Sequence, residues 1–248
     1  GLYNGIARIN LSDEKVFFYD LAKEIENHSV MDILAIDKQK LWLATEGNGI
    51  IQLKINNKKD VIHDAFFNVF RSGSAISKKI SGSIIYALQK DKRGNVWVGT
   101  SEGLYKIKRS SNPIQAENVQ LQSGMPNTYI SSITDDNEGN IWIAHKEGIS
   151  KVNGASGEIS NYQKKDQYSS WRFLERALYK DVKSNTIYFG AKNGYVAFNP
   201  KEIKTISKSN KLILKTLFVS NQEVIPMDTV FGKPILSKIL SQTKSIDL

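Results

Sequence analysis

One pattern returns four times along this chain and limits the folds open to it more than any other feature. Gly94-Asn95-Val96-Trp97-Val98-Gly99-Thr100-Ser101-Glu102-Gly103-Leu104 reappears as Gly139-Asn140-Ile141-Trp142-Ile143-Ala144-His145-Lys146-Glu147-Gly148-Ile149. An earlier copy is Leu41-Trp42-Leu43-Ala44-Thr45-Glu46-Gly47-Asn48-Gly49-Ile50, and a later one is Ile187-Tyr188-Phe189-Gly190-Ala191-Lys192-Asn193-Gly194-Tyr195. Trp42, Trp97, Trp142 and Tyr188 follow one another at 55, 45 and 46 residues. A period of that size, holding short strands and tight turns, is the length of one blade of a β-propeller. The chain opens on the later half of a further copy, Tyr3-Asn4-Gly5-Ile6.

Each copy reads as strands joined by reversals. Alternating segments such as Ile84-Ile85-Tyr86-Ala87-Leu88 and Ile130-Ser131-Ser132-Ile133-Thr134 precede the aromatic, and Leu104-Tyr105-Lys106-Ile107 follows a glycine. Asp91-Lys92-Arg93-Gly94-Asn95 and Asp136-Asn137-Glu138-Gly139-Asn140 have hairpin chemistry, with Asp to bond the turn backbone and Gly to take positive φ. The first copy lacks that glycine and the last carries an extra residue, so those two turns are expected to differ. Gly49, Gly103, Gly148 and Gly194 stand at the next reversal and are expected at positive φ. Trp42, Trp97, Trp142 and Tyr188, at one equivalent place per copy, are expected to pack between adjacent sheets. Outer strands are expected near residues 15–19, 60–70, 118–121 and 159–162, with an enlarged loop or hairpin over 56–83.

The repeat ends at Phe198-Asn199-Pro200. A new β-pattern follows, with Leu212 to Val219, a turn at Ser220-Asn221-Gln222-Glu223, and Val224-Ile225-Pro226. Residues 1–203 are therefore read as propeller blades and 204–248 as the first strands of a second β-domain. Those strands are too few for a stable sandwich, so the sequence reads as a piece of a longer one at both ends.

The formal charge of +9 raises the question of an acidic partner, but Lys78-Lys79, Lys92-Arg93 and Lys164-Lys165 are short groups among turn residues and read as solvated surface. Nucleic acid is not expected to bind directly. The absence of cysteine excludes disulfides and thiolate metal sites. No segment approaches the roughly 18 to 20 apolar residues of a membrane helix, so any membrane attachment would lie in segments outside this sequence.

A catalytic constellation is not legible. His28, His63 and His145 are isolated, without metal-ligand spacing, and no cofactor or metal is expected. His145 fills a slot held by Thr45 and Thr100 and reads as a tolerated turn-side residue. Asp91 and Asp136 read as turn caps rather than an acid–base pair. If a ligand binds, loops that break the repeat are the place to look. Tyr168-Ser169-Ser170-Trp171-Arg172-Phe173 stands where sister copies carry Tyr129 or Lys79. Tyr168 or Trp171 could stack on a sugar face and Arg172 could hold an acidic group; Trp171 and Phe173 could equally pack the last blade.

The run from Ser123-Gly124-Met125-Pro126-Asn127 through Ile130-Ser131-Ser132-Ile133 to Gly139-Asn140-Ile141-Trp142-Ile143 resembles the two-component regulator propeller repeat. Tyr188-Phe189-Gly190 with Phe198-Asn199-Pro200 looks like that family's last blade, and the tail from Leu212 is similar to the opening of the immunoglobulin-like triple-tyrosine module that follows it. The resemblance implies an all-β chain: four full four-stranded blades plus part of a preceding one, from a seven-bladed propeller, then the start of a sandwich. It further implies the periplasmic sensor region of a Bacteroidetes-type hybrid two-component histidine kinase, homodimeric in full length. Such a sensor would detect an oligosaccharide, with an acidic one suited to Arg172, and regulate polysaccharide-utilisation genes. Ala44, Ala144 and His145 depart from the family pattern. A propeller lyase or glycosidase, and a protein-interaction scaffold, are the competing readings.

Overall fold

The computed structural model describes residues 1–21, 29–47, 49–54, 84–108, 115–119, 129–162, 172–203, 216, 218–219, 222–226, 229–230 and 233–234. Every regular element among them is a β-strand. Two compact units emerge, Gly1–Ile203 and Lys204–Leu248.

The first unit is a succession of antiparallel meanders. A two-stranded sheet of β1 (Gly5–Ile9) and β2 (Val16–Asp20) is followed by three strands, β3 (Val30–Asp37), β4 (Lys40–Thr45) and β5 (Ile50–Lys54). Four-stranded sheets follow: β6 (Ile85–Lys90), β7 (Val96–Thr100), β8 (Gly103–Lys108) and β9 (Gln115–Asn118), then β10 (Ile130–Asp135), β11 (Ile141–His145), β12 (Gly148–Val152) and β13 (Ile159–Tyr162). The last sheet has β14 (Phe173–Asp181), β15 (Thr186–Ala191) and β16 (Gly194–Phe198). The inner strands β3, β6, β10 and β14 pack side by side in that order, and β14 also approaches β6, so they gather about a common centre. These are propeller blades.

The apolar cores lie between sheets rather than within them, because a flat blade can cover its faces only with its neighbours. Trp42 and Ile50 share one cluster with Ile85, Val96 and Ile107 of the next blade; Trp97 and Leu104 share another with Ile130 and Ile141; Trp142 and Ala144 share a third with Phe173, Ile187 and Phe189. All three tryptophans are at most 3% exposed. Trp142 meets Phe198 of the following blade at 4.7 Å and Tyr162 of its own at 5.7 Å. Tyr188 occupies the same register position but is only half-buried, since no described sheet follows it. It packs sideways against Tyr179 and Tyr195 of its own sheet.

Turn and stack are hooked together. The Asp136 carboxylate accepts the backbone N–H of Glu138 and Asn140, the Asn140 amide and, at 2.9 Å, the indole N–H of Trp142. Burial opposes ionisation of Asp136, but the bonds from Trp142 and Asn140 outweigh it and hold the carboxyl below the usual carboxylate range. Asp91 repeats the arrangement with Arg93, Asn95 and Trp97. Gly94 and Gly139 take φ of 82° and 87° in these hairpins. The turn without glycine shortens to a pairing of Asp37 with Lys40, and in the longer last turn Asn185 takes φ 56° in place of glycine. The hairpins also contact one another: Asn137 receives the Lys92 ammonium on its carbonyl and donates its N–H to Asn185 Oδ1 at 3.1 Å. Gly49, Gly103, Gly148 and Gly194 all have positive φ, as expected of the second reversal.

The third outer strand sits earlier than its expected place, at Gln115–Asn118 rather than 118–121, while Ile159–Tyr162 falls as expected. The expectations over 56–83 and 60–70 lie outside the described residues. In the second unit, β17 (Phe218–Val219) pairs with β18 (Gln222–Glu223), and β19 (Thr229–Val230) with β20 (Lys233–Pro234). Gln222 and Glu223, expected in the turn, are thus in the returning strand; a two-residue connection suffices to reverse an antiparallel pair.

Candidate functional site

Each inner strand carries an irregularity at its head. The pairing jumps between Val30 and Asp32, between Ile85 and Ala87, and between Ile130 and Ser132, so Met31, Tyr86 and Ser131 lie outside the regular ladder. A bulge of this kind turns the strand and re-aims a side chain. In the last blade it widens: Phe173 pairs with Ala191 and the next partners are Leu178 and Phe189, with Arg176 between them at φ 58°.

The bulges and the residues beside them place a polar and aromatic group at one rim of the blades, opposite the Asp91 and Asp136 hairpins. Tyr86 meets Tyr129 edge-on at 4.9 Å. The Tyr129 hydroxyl donates to the Glu175 carboxylate, across from blade to blade. Arg176 reaches from β14 to the carbonyl of Met31 on β3, Nη1 to oxygen 2.6 Å. On the same β3 bulge, Asp32 accepts the N–H of Leu88 on β6 at 2.8 Å. Four successive blades are thereby tied at one end.

The electrostatics follow from this arrangement. Burial raises the Tyr129 hydroxyl, and its bond to Glu175 raises it further; burial likewise raises Tyr86, with the charges of Glu175 and Glu46 adding to it. The Tyr129 bond lowers Glu175, and the Arg172 and Arg176 guanidiniums act in the same direction. Asp32 is raised by burial in spite of its backbone bonds and the nearby Arg176. Glu175 is thus a carboxylate that holds the Tyr129 hydroxyl and whose charged form the Arg172 and Arg176 guanidiniums favour.

Of the residues singled out in the sequence, Tyr129 and Arg172 are brought together here: both act on Glu175. Tyr168, Trp171 and Lys79 lie outside the described residues. Phe173 is 5% exposed and packs on Phe189, a core residue rather than a ligand contact. Sequence reasoning passed over Tyr86, Glu175 and Arg176. One signal was available, because Phe173 stands eight residues before Asp181 where Ile85 and Ile130 stand six before Asp91 and Asp136, and the excess is the wide bulge.

His145 stands beside the turn, as expected, at the end of β11, but it is fully buried, with 0% exposure. Its Nδ1 accepts the N–H of Glu147 at 3.2 Å, as Thr100 Oγ1 accepts that of Glu102 at 3.1 Å, so the imidazole does the threonine's capping work. With Nδ1 accepting, Nε2 carries the proton and donates to Ser150 Oγ at 2.8 Å, which donates onward to Asn161 Oδ1 at 2.7 Å. The direction is opposite to that of a base activating a serine, and the pair is sealed from solvent. Ser150 holds the register place of Tyr105 in the preceding blade, so a small residue makes room for the ring. Burial lowers the imidazole from 6.5 to about 4.

A concavity of about 400 Å³ lies between the hairpin ends of the β6–β9 and β10–β13 blades, lined by Lys92, Arg93, Lys106 and Asn153 among others. Its tryptophan, Trp97, is covered by the Lys106 ammonium at 4.9 Å from the ring and offers no open face for stacking. Among the described residues there is no group of three or more His, Cys, Asp or Glu placed to hold a metal. No helix among them is long and apolar enough to cross a membrane.

Residues 79–102 and 124–147 match the family profile described as two component regulator propeller. Histidine kinase P4 of Formosa agariphila is 29% identical over 245 residues, covering 97% of this chain and 16% of that protein. The extracellular domain of the hybrid two-component system BT3049 of B. thetaiotaomicron superposes with a TM-score of 0.53 at 20% identity, over 78% of this chain and 23% of that one. That of BT4673 from the same organism gives 0.56 at 15% identity, over 82% and 27%. The solved structures share the propeller fold with this chain. It spans about a sixth of the kinase's length and about a quarter of theirs.

Proposed function

The chain carries two-component regulator propeller repeats, and on that footing we propose that it is part of the extracytoplasmic, periplasmic ligand-sensing region of a hybrid two-component histidine kinase. The ligand is an oligosaccharide, and its binding is passed to a downstream kinase, in a homodimeric receptor, to control polysaccharide-utilisation genes. Residues 204–248 begin the immunoglobulin-like module that relays the change. The observation that supports this reading is the rim cluster, in which Tyr86, Tyr129, Arg172 and Glu175 are drawn from three separate blades. Tyrosine rings offer apolar faces to the C–H side of a sugar, and charged groups bond its hydroxyls more strongly than neutral ones do. Tyr168, Trp171 and Lys79, outside the described residues, are proposed as further ligand contacts.

Calorimetry on the complete extracytoplasmic region with an oligosaccharide panel tests the reading. Binding of at least one member, weakened about tenfold or more by Tyr129→Ala or Arg172→Ala (about 1.4 kcal/mol for each factor of ten), is the expected result. Unchanged affinity in both variants removes the rim from the site, and turnover of a saccharide in place of binding removes the sensor reading.

A further inference from the structure

Two neighbouring gaps between blades are filled differently at their hairpin ends. In the gap between the β10–β13 and β14–β16 sheets, Phe198 lies on Trp142 with ring centroids 4.7 Å apart. Phe198 is the register partner of Ile187, and Val152 is that of Ile141, so Val152 is the counterpart of Phe198 one gap earlier. Val152 shares its apolar cluster with Trp97. An isopropyl group thus stands where the following gap has a ring, and the concavity of about 400 Å³ lies at that place. A space of this size is within the range of small-molecule sites.

Lys92, Arg93 and Lys106 line it as cations, and Asp91 and Glu138 as anions. Asp91 is committed, since its oxygens accept the Arg93 and Asn95 N–H groups, the Asn95 amide and the Trp97 indole; Glu138 is exposed on the hairpin. Outside the lining, Glu117 stands opposite Lys106 in register but is taken by Lys108 at 2.5 Å, and Asp135 by Lys180 at 3.6 Å. The Lys106 ammonium lies instead 4.9 Å from the centre of the Trp97 ring. That of Lys92 donates to the Asn137 carbonyl, and its stem runs against Gly139, with Cδ 3.3 Å from where a Cβ would stand. Two ammonium groups are thereby held by neutral partners, which fix their positions without cancelling their charge. The backbone of the facing wall is spent: the N–H of Gly154 goes to Asn140 Oδ1, those of Ala155 and Ser156 to Asn153 Oδ1, and that of Gly157 to the Asn153 carbonyl. Recognition in this space therefore falls to the side-chain cations.

We infer that the concavity is a binding site for a small organic oxyanion, a phosphate, sulfate or carboxylate on a ring-sized body, with the charged group held by Lys92 and Lys106, Arg93 beside it, and the body in the space that Val152 leaves. The site is at the opposite end of the blades from the rim and stands whether or not the rim takes a sugar.

The test titrates the complete extracytoplasmic region by calorimetry at constant ionic strength with phenyl phosphate, phenyl sulfate and benzoate, with inorganic phosphate and sulfate, and with benzyl alcohol as the uncharged control. At least one phenyl anion is expected to bind, about tenfold or more tightly than the inorganic ions, and benzyl alcohol is not. Lys92→Gln and Lys106→Gln are each expected to weaken that binding about tenfold, while Lys106→Arg, which keeps the charge, retains most of it. In acetylation footprinting by mass spectrometry, the bound anion is expected to shield Lys92 and Lys106 but not Lys183, an exposed lysine of the last blade. No binding by any anion, or affinity unaltered in both glutamine variants, overturns the inference. Equal shielding of Lys183 overturns it in favour of diffuse attraction to a basic surface. A loss in Lys106→Arg equal to that in Lys106→Gln overturns the role of its charge, and inorganic ions that bind as tightly as the phenyl anions overturn the place given to the body.

Discussion

The buried histidine gives the fold a dependence on acid that can be worked out in advance. In the unfolded chain the imidazole takes up a proton near 6.5, whereas in the native blade it does so only near 4. Between those values the unfolded state binds a proton that the native state refuses, so stability is intact above about 6.5 and falls as the pH drops towards 4, levelling below. At about 1.4 kcal/mol for each pH unit of separation, the loss amounts to about 3 kcal/mol. The geometry explains the refusal. Nδ1 is already an acceptor for Glu147 N–H, and Nε2–H is spent on Ser150, so a second proton would break the first bond inside an apolar stack. His145→Thr restores the residue used at positions 45 and 100 and removes the proton link, but leaves space beside Ser150. His145→Thr with Ser150→Tyr reproduces the pairing of Thr100 with Tyr105 and is expected to recover that packing. Urea unfolding of the three proteins between pH 7 and pH 4 supplies the comparison, with losses shared by all three assigned to carboxylates. The histidine protein is expected to lose about 3 kcal/mol more than either variant over that range. An imidazole seen by NMR to titrate near 6.5 in the folded chain, or an acid slope unaltered in the variants, would refute the reasoning.

Three further outcomes follow from single contacts. Asp136→Ala strands four donors in a buried turn and is expected to cost about 3 to 5 kcal/mol in thermal melting; the same change at Asp181, bonded only to Lys183 and Ser184 at the surface, should cost far less. Gly99→Ala would put a Cβ 2.6 Å from Ile130 Cγ2 of the next blade, and an overpacking loss of about 1 to 3 kcal/mol is expected. Gly94→Ala meets no atom within 4 Å yet forces φ +82° on alanine, and a loss of about 1 kcal/mol is expected. Equal melting temperatures for wild type and the Gly99 variant would show that the blades can part at that contact.

The stacking was legible because it is written into period: Trp42, Trp97 and Trp142 mark one register position, and all three lie against the following sheet. The turns were legible because Asp and Gly are chemically constrained there. The bulges were not, since in a sheet covered on both faces burial no longer alternates. Ile130, Ser131, Ser132 and Ile133 are all buried, so an extra residue leaves no break in the pattern. Nor was the convergence of Tyr86, Tyr129 and Glu175 visible, because it depends on how closely the inner strands approach. The bond from the Trp142 indole to Asp136 was half visible; the six-residue spacing recurs at Asp91 and Trp97, but nothing in it specifies that the second carboxylate oxygen is shared between the ring and the asparagine amide.

The bulge at the head of each inner strand has a bearing on how such a propeller could diversify. The residue it sets aside takes no part in the ladder register, and here it is methionine, tyrosine or serine in three consecutive blades. A single codon change at Met31 or Tyr86, which unlike Ser131 are only partly buried, can alter what the rim offers a visiting molecule while the neighbouring rungs keep their partners. The last blade extends the same freedom to a run of residues. A lineage of such propellers could exchange surface properties there without relearning how to fold.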